Sequence, residues 1–341
     1  MDIKNLILNK VHKDGRVTAQ EMVKKTGFSR AYLHRFFKEL RDEGKIVLIG
    51  RANQAHYIPA HPAAIRKARK AINQIYLKLK NARLEEDRVL EQIKNSSGIF
   101  IELPENIVRI LRYSFTEMLN NAIEHSGSRE IEIKMERLPG SVHFSVNDQG
   151  VGIFKKIMDQ KGLASPFEAI QELLKGKQTT APEAHSGEGI FFTSKVADRL
   201  VIKSGRKKLI FDNLLEDVIV DECSRLQGTK VLFAIALETK RKLEDVFKDF
   251  SNEAFEFNKT QVHVRLFRMG RDYVSRSQAR RILSGLESFE TVIVDFSGIT
   301  AIGQAFADEI FRVWKNRFPE KNIIVQKTNE NIDFMIKRAR Q

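Results

Sequence analysis

The sequence has few of the residues that mark several classes of protein. Its single cysteine, Cys223, excludes an internal disulfide and a cysteine-based metal cluster. Its longest apolar runs are far shorter than the roughly 20 residues that a membrane span needs. The N-terminus has the pattern of an amphipathic helix and lacks the small-residue cleavage site of a signal peptide. We therefore expect a cytoplasmic protein with no membrane partner.

Positive charge, in contrast, is abundant. The formal net charge is +14 at pH 7, and basic chains are attracted to polyanions such as nucleic acids. A surplus that serves only solubility is the alternative interpretation. A length of 341 residues predicts two or three domains, and the patterns along the chain indicate a multidomain α+β protein.

Residues 1–60 predict three short helices followed by two strands. Gly15, Gly27 and Gly44 end the three helical patterns, and Thr18 with Glu21 predicts a capping box at the start of the second helix. This order, with the tight step "TGFSR" between the second and third helices, resembles a winged helix-turn-helix domain.

That resemblance implies that the third helix enters the major groove of DNA and that the strands form a wing. In residues 1–60 the basic residues outnumber the acidic ones by twelve to six, which suits phosphate neutralisation. A winged helix used for protein contacts is the alternative. The candidates for DNA contact are Ser29, Arg30, Tyr32, His34, Arg35 and Lys38 on the helix, with Arg51 and Gln54 at the wing tip.

Residues 61–97 are predicted to be a connector helix. The apolar residues between 62 and 95 recur at steps of three and four, which indicates one long helix, or two with a break near Asn81. A long helix with a narrow apolar stripe can form a homodimer or pack on the neighbouring domain, and both remain open. His61 lacks the acidic residue and the threonine or asparagine of a histidine-kinase phosphoacceptor, so we do not expect this segment to be phosphorylated.

The stretch "EMLNNAIEHS" at residues 117–126 has too many polar side chains for a core. Glu117, Asn121 and Glu124 lie at spacings of four and three, away from the apolar face of the same helix. An alternating strand then ends at Asp148, whose carboxylate can accept a hydrogen bond from an exocyclic amine such as that of adenine. Gly150 and Gly152 let the backbone approach a ring or a phosphate closely. We call residues 150–152 the glycine loop.

Two further motifs follow in order. Gly187 and Gly189 open an amphipathic helix, which is typical of a phosphate-binding helix N-terminus, and Thr229 follows a glycine at the start of a late strand. Together the four motifs resemble the Bergerat-fold ATPases, the superfamily of gyrase, mismatch-repair, histidine-kinase and anti-sigma-factor kinase proteins. "NNAIEHS" is most similar to the anti-sigma kinase version. We therefore predict a Bergerat α/β sandwich over residues 98–240.

The resemblance implies Mg²⁺ and ATP as cofactors, and it assigns a role to each matching residue. Residues 153–186 would form a lid, in which Lys177 either reaches a terminal phosphate or is an ordinary loop lysine. Glu188 departs from the family pattern and should point away from the phosphates, so hydrolysis is expected to be slow or absent. The implied roles are catalysis for Glu117, Mg²⁺ binding for Asn121, adenine recognition for Asp148 with Thr229 beside the base, and nucleotide contact for Gly150, Gly152, Lys177, Gly187 and Gly189.

Residues 255–341 alternate strands and helices. The stretch "TVIVDFSGITAIGQAFADEIF" resembles the anti-sigma-factor-antagonist, or STAS-like, domain, an α/β fold. At the position of that family's phosphoacceptor serine the chain has Gly303-Gln304-Ala305, so this block cannot be switched by phosphorylation there. Docking on its own ATPase domain or on a partner protein is the expected role. The alternative is a plain α/β sandwich in which Asp295 caps a turn.

The order of domains predicts an ATP-binding, DNA-binding transcriptional regulator in which Mg-ATP controls conformation or assembly. The main alternative is an anti-sigma-type kinase that phosphorylates a serine of a partner protein. A histidine kinase and a DNA-repair ATPase are the remaining readings.

Overall fold

The computed structural model describes three blocks of helices and strands. We call residues 2–59 the N-terminal block, residues 62–250 the central block and residues 256–341 the C-terminal block. The described residues are 2–50, 55–176, 188–253, 256–267 and 273–341. Among them, no helix combines the length and the apolar character needed to cross a membrane.

The N-terminal block contains three helices and an antiparallel two-stranded ribbon, in the order that the sequence predicts. Its elements are α1 (Ile3–Asp14), α2 (Ala19–Thr26), α3 (Arg30–Asp42), β1 (Ile46–Ile49) and β2 (His56–Pro59). Its apolar side chains form a core that is separate from the rest of the molecule.

Local signals fix the ends of these helices. Gly15 and Gly27 adopt left-handed conformations, with φ of 74° and 73°, where they end α1 and α2. The capping box is confirmed, because the Thr18 hydroxyl accepts the Glu21 backbone N–H at 3.1 Å and the Glu21 carboxylate accepts the Thr18 N–H at 2.7 Å. Ser29 caps α3 in the same way by accepting the Tyr32 N–H at 3.2 Å.

The central block is a five-stranded antiparallel sheet with helices on one face. The strand order is β3-β4-β5-β7-β6. Buried and less buried residues alternate along β4 and β5, as expected when only one face of a sheet is covered. The elements are α4 (Pro62–Lys70), β3 (Gln74–Lys80), α5 (Glu86–Ser96), α6 (Glu105–His125), β4 (Glu130–Arg137), β5 (Ser141–Asp148), α7 (Ile153–Lys161), α8 (Pro166–Lys175), α9 (Gly189–Val196), β6 (Arg199–Asp212), β7 (Asp217–Ala236) and α10 (Leu243–Phe250).

The predicted connector helix over residues 61–97 is wrong. The segment forms two short helices, α4 and α5, with the edge strand β3 between them. β3 pairs antiparallel with β4, so that Leu77 lies opposite Ile133. Ile75 and Leu77 are buried under the helices, and this burial against a sheet outweighs the helical preference of the intervening lysines and leucines.

The C-terminal block alternates strands and helices around a three-stranded parallel sheet of order β10-β9-β8. The first strand ends at His263, and residues 264–267 form a 3₁₀ turn. The elements are β8 (Lys259–His263), α11 (Arg276–Leu283), β9 (Thr291–Asp295), α12 (Gln304–Asp308), a π-helical stretch (Glu309–Trp314), α13 (Lys315–Arg317), β10 (Asn322–Gln326) and α14 (Glu330–Ala339).

The cores of the central and C-terminal blocks are continuous. One cluster of buried apolar side chains runs from Ile75 in β3 to Ala339 in α14. The C-terminal block therefore packs on the central block through apolar contacts, whereas the N-terminal block closes on its own core.

Candidate nucleotide site

α6 supplies the first wall of the site. Its apolar residues are buried against the sheet, and this orientation places Asn121 on the wall of a cavity. Glu117 lies one turn earlier and contacts Gly189 so closely that a β-carbon on Gly189 would collide with the Glu117 carboxylate. Glu124 is exposed. The three polar residues that the sequence groups together therefore have three different surroundings.

Asp148 is buried at the end of β5, with 3% of its surface exposed. Its Oδ1 accepts backbone N–H groups from Gly150 at 2.9 Å and from Thr229 at 3.2 Å. Burial raises the pKa of Asp148, while these hydrogen bonds act in the opposite direction. The carboxylate is thus held in a fixed orientation in an environment with little water.

The glycine loop after Asp148 is tied to the end of α6. The Val151 N–H donates to the Ser126 carbonyl at 3.0 Å, and a β-carbon on Gly150 would collide with that same carbonyl. Gly152 has a φ of 88° and lies against Gly228 and Ser204. Only glycine fits this combination of close approach and left-handed backbone, so the loop is held at a fixed distance from α6.

Thr229 connects its own strand, β7, to the motif that contains Asp148. Its hydroxyl accepts the Ile153 N–H, the first of α7, at 2.9 Å. Together with the bond from its own N–H to Asp148, this contact links the start of α7, the end of β5 and the middle of β7.

A cavity of about 410 Å³ lies among these elements, within the range of small-molecule sites. Of the residues predicted to bind nucleotide or metal, Asn121, Asp148, Gly152 and Thr229 line it. Gly150 lies against Ser126, which lines the cavity, and Gly189, next to the lining residue Ile190, lies against Glu117. Lys177 and Gly187 lie outside the described residues, as does most of the second half of the predicted lid. The lid's first part forms α7 and α8.

Sequence reasoning missed the part of the cavity that α7 provides. Ile153, Lys156, Ile157 and Gln160 all line it. The Lys156 ammonium donates to the His125 carbonyl at 2.9 Å, and burial lowers the pKa of this lysine. The spacing of these four residues by three and four places them on one face of a helix, and this pattern could have identified them as a group.

Acidic side chains near the start of α9 affect the pKa of Tyr113. Burial raises its pKa, and the charges of Glu117 and Glu188 raise it further. Glu188 occupies the N-cap position of α9 and makes no side-chain cap. Glu117 lies against Gly189, the neighbour of Glu188, so negative charge is concentrated at this end of α9.

The candidate DNA-contact residues lie on the outer side of the N-terminal block. Arg30, Tyr32, His34, Arg35 and Lys38 are exposed along α3. Tyr32 packs between the rings of Phe28 and Phe36, at 5.1 and 5.2 Å between centroids, and Arg35 pairs with Glu39 at 3.1 Å. Ser29 is engaged as the cap of α3. Arg51 and Gln54 lie outside the described residues.

Family models match two parts of the chain. Residues 58–211 match the model described as the histidine kinase-like ATPase domain. This match covers most of the central block, from α4 into β6, and supports a histidine kinase-like ATPase domain there. Residues 278–333 match a STAS-like domain of unknown function (DUF4325), which lies within the C-terminal block. A search of curated proteins finds no match to the chain.

The first match includes α4, β3 and α5, the segment that the sequence pattern predicts to be a connector. The ATPase-like domain supports nucleotide binding, and the STAS-like match agrees with the parallel sheet of the C-terminal block.

Proposed function

We propose that the protein is an ATP-binding regulator that contacts DNA through its N-terminal block. Nucleotide would bind in the cavity of the central block. The observation that carries this proposal is the convergence on one cavity of Asn121, Asp148, Gly152 and Thr229, which come from three separated stretches of the chain. The match to a histidine kinase-like ATPase domain supports it.

Asp148 fits the recognition of adenine. An ionised carboxylate has about four sites that accept hydrogen bonds, and the two backbone donors use only Oδ1. The other oxygen can accept the exocyclic amine of the base. Apolar side chains on the cavity wall, including Val146, Ile157 and Val231, suit the faces of a flat ring.

The residues present also fit a magnesium ion held with the nucleotide. Mg²⁺ prefers oxygen ligands and keeps several waters, so one protein oxygen together with phosphate oxygens is sufficient. The Asn121 amide lies on the cavity wall. The part of the chain that the structure describes contains no cluster of three or more metal-binding side chains. When bound, the ion would neutralise phosphate charge, while Asn121 would orient it.

Nucleotide titration of the full chain tests this site. We expect Asp148→Asn to lose discrimination between ATP and GTP, and Asn121→Ala to lose the magnesium-dependent part of ATP affinity. Matched controls are Asp159→Asn on the exposed side of α7 and Asn120→Ala, the neighbour of Asn121, both of which should bind ATP like the wild type. Undiminished, adenine-selective binding by both site variants would contradict the assignment.

The N-terminal block supplies the DNA-binding part of the proposal. Three helices followed by an antiparallel ribbon, with basic side chains exposed along α3, support a winged helix-turn-helix here. In binding assays with duplex DNA, Arg30→Ala and Lys38→Ala should each weaken binding. Each should also reduce the slope of log affinity against log salt by about one if the side chain contacts a phosphate. Lys13→Ala, on α1, is the control. Unchanged DNA affinity in both α3 variants would exclude this helix as the contact.

α4 is the structural element that could couple the two sites. It packs against β1 and β2 of the N-terminal block. On its other side, Arg66 and Lys70 pair with Glu102 of the central block at 3.0 and 2.7 Å. Coupling of this kind predicts that saturating Mg-ATP changes DNA affinity or the oligomeric state, and measuring both with and without nucleotide tests it.

Phosphoryl transfer to a partner protein is the second candidate function. The observation that favours it is the position of Glu117, one turn from Asn121 and against the first residue of α9, where a carboxylate can orient an attacking hydroxyl. Incubation with labelled ATP and cell lysate separates the two candidates. A labelled protein that disappears with Glu117→Gln supports a kinase, and label only in free phosphate supports an ATPase.

A further inference from the structure

The C-terminal block holds α8 through a buried lysine. Lys175, the last residue of α8, is 1% exposed. Its ammonium donates to the carbonyl oxygens of Ser284 at 2.7 Å and Arg281 at 3.1 Å, just after and within α11. The Thr260 hydroxyl of β8 donates back to the Lys175 carbonyl at 2.6 Å. The end of α8 is therefore bonded to two elements of the C-terminal block.

The same face of α8 makes a second polar contact with α11. The Arg281 guanidinium pairs with Glu168 at 2.7 Å and donates to the Gln171 side chain at 3.1 Å. Glu168, Gln171 and Lys175 lie at helical spacings of three and four, so all three are on the side of α8 that contacts α11.

α9 is held by a chain of polar side chains. The Lys195 ammonium donates to the Gln261 side-chain oxygen at 2.9 Å, and the Gln261 amide donates to Asp295 Oδ2 at 3.2 Å. Asp295 is fully buried at the end of β9, and its Oδ1 accepts the Ser297 N–H at 2.7 Å. Asp295 therefore caps the turn after β9, and the same carboxylate anchors the link to α9.

Phe257 packs against both helices at once. Its ring centroid lies 4.6 Å from that of Phe191 and 5.1 Å from that of Phe192, both in α9. A β-carbon on Gly176, the residue after α8, would lie only 2.9 Å from the Phe257 ring. This side chain, 2% exposed, fills the space between the end of α8 and the start of α9.

These contacts lie directly behind two residues that line the nucleotide cavity. Leu173 of α8 lines the cavity two positions before Lys175, and Ile190 of α9 lines it next to Phe191. Protein interiors are densely packed and transmit small shifts. A displacement of the C-terminal block that moves either helix must therefore change the shape of the cavity.

We propose that the C-terminal block is a built-in regulator of the nucleotide site, acting through Lys175, Phe257 and the Lys195–Gln261–Asp295 chain on the two helices that line the cavity. This inference rests on the proposed function, since it concerns the affinity of that same site. Docking of the block fixes both helices before nucleotide arrives, so it lowers the entropy lost on binding. Coupling between sites is reciprocal, so nucleotide must strengthen the docking by the same factor.

The test uses the full chain and two variants that loosen the contact without touching the cavity lining. Gln261→Leu removes the link between Lys195 and Asp295, and Phe257→Ala removes the ring between α8 and α9. We expect the Kd for ATP to rise roughly 5- to 50-fold in each. Gln326→Leu, the same chemical change at an exposed position of β10, is the matched control and should bind like the wild type.

Hydrogen exchange provides a second measurement, which can be made on the wild type before any variant is compared with it. Adding ATP to the wild type should slow amide exchange in β8 and α11, and this protection should be smaller in Gln261→Leu. A wild type that binds no ATP would overturn the proposed function itself. A wild type that binds ATP, with unchanged affinity in a folded Gln261→Leu variant and unchanged exchange in β8 and α11, would overturn the regulatory role alone.

Discussion

The N-terminal and C-terminal blocks are attached to the central block in opposite ways. The N-terminal block has its own closed core and contacts α4, the first helix of the central block, which exposed ion pairs join to Glu102. The C-terminal block shares a continuous core with the central block, and a buried lysine and a buried carboxylate lie among its contacts. The first arrangement allows a block to move as a unit. The second links the stability of one block to the geometry of the other.

Truncation gives the largest test of this difference. Deleting residues 1–59 should leave the remaining chain folded and able to bind ATP. Deleting residues 256–341 should expose the apolar faces of α8 and α9, including Phe191, and cause aggregation or loss of cooperative unfolding. Thermal unfolding and size-exclusion chromatography measure both outcomes. A soluble, cooperatively folded protein without residues 256–341 would contradict the idea of a shared core.

Two single substitutions make the same comparison within the intact chain. Phe37 is fully buried and stacks on Tyr57 at 4.1 Å in the N-terminal block, and Phe289 is 1% exposed in the C-terminal block. Each change to alanine should cost about 3–5 kcal/mol of unfolding free energy. We expect Phe37→Ala to lower the unfolding temperature of the N-terminal block and to leave ATP affinity unchanged.

Phe289→Ala should instead lower the unfolding temperature of the unit that contains the nucleotide cavity. Calorimetry with and without ATP separates these results, because ligand stabilises only the unit that binds it. Phe334→Ala, at a site that is 60% exposed, is the control and should change little. Equal effects of Phe37→Ala and Phe289→Ala on the ATP-stabilised transition would show that the two blocks are not attached differently.

The pH dependence of stability sharpens the picture of the C-terminal contact. Burial lowers the pKa of Lys195 to about 8, from 10.5 in the unfolded chain, although the Asp295 charge opposes the shift. Below pH 8 both states bind the proton, so Lys195 contributes no slope there. Between pH 8 and 10.5 the folded state releases its proton first, so the free energy of unfolding rises with pH.

Denaturant titrations from pH 7 to 10 measure this effect as a difference in unfolding free energy between the wild type and a variant without Lys195. Compared with Lys195→Met, the wild type should gain stability above pH 8. Lys155→Met, at an exposed position of α7, should follow the wild type. A wild type and a Lys195→Met variant with parallel profiles would mean that Lys195 stays in contact with water.

The smallest expected effect concerns the ion pairs of α4. Glu102 is exposed, with half of its side-chain surface accessible, and it pairs with Arg66 and Lys70. Because exposed pairs contribute little, Glu102→Gln should leave thermal stability unchanged. If the proposed coupling holds, Glu102→Gln should reduce the effect of Mg-ATP on DNA affinity, compared with Asp87→Asn on α5. An identical nucleotide effect in the two variants would remove these pairs from the coupling.

The elements that the sequence predicted well are those with local causes. Gly15, Gly27 and the Thr18–Glu21 box set the ends of α1 and α2 within a few residues of chain. Asn121, Asp148 and Thr229 also stand out in the sequence, because each lies next to a residue pattern with its own chemical meaning. Their convergence on one cavity is a long-range result, and the resemblance of four motifs in order was needed to predict it.

The error at β3 has a physical explanation. "QIYLKLK" places Ile75, Leu77 and Leu79 at alternate positions, the pattern of a strand with one buried face. Leucine and lysine are also good helix formers, and the wider window around this stretch contains helical spacings. Pairing with β4 decides between the two, and that pairing joins residues far apart in the chain. The docking of Lys175 and Lys195 escaped prediction for the same reason.

The short length of α4 limits what the N-terminal block can do. Nine residues of helix extend about 14 Å, whereas the long helix expected at first would have reached about 50 Å. Beyond α4, the Gly98 and Arg137 N–H groups hold the Ile72 and Asn73 carbonyls at 2.9 and 2.7 Å, so the tether ends there. If two copies bind DNA half-sites as proposed, this short tether brings their central blocks almost as close together as the half-sites themselves.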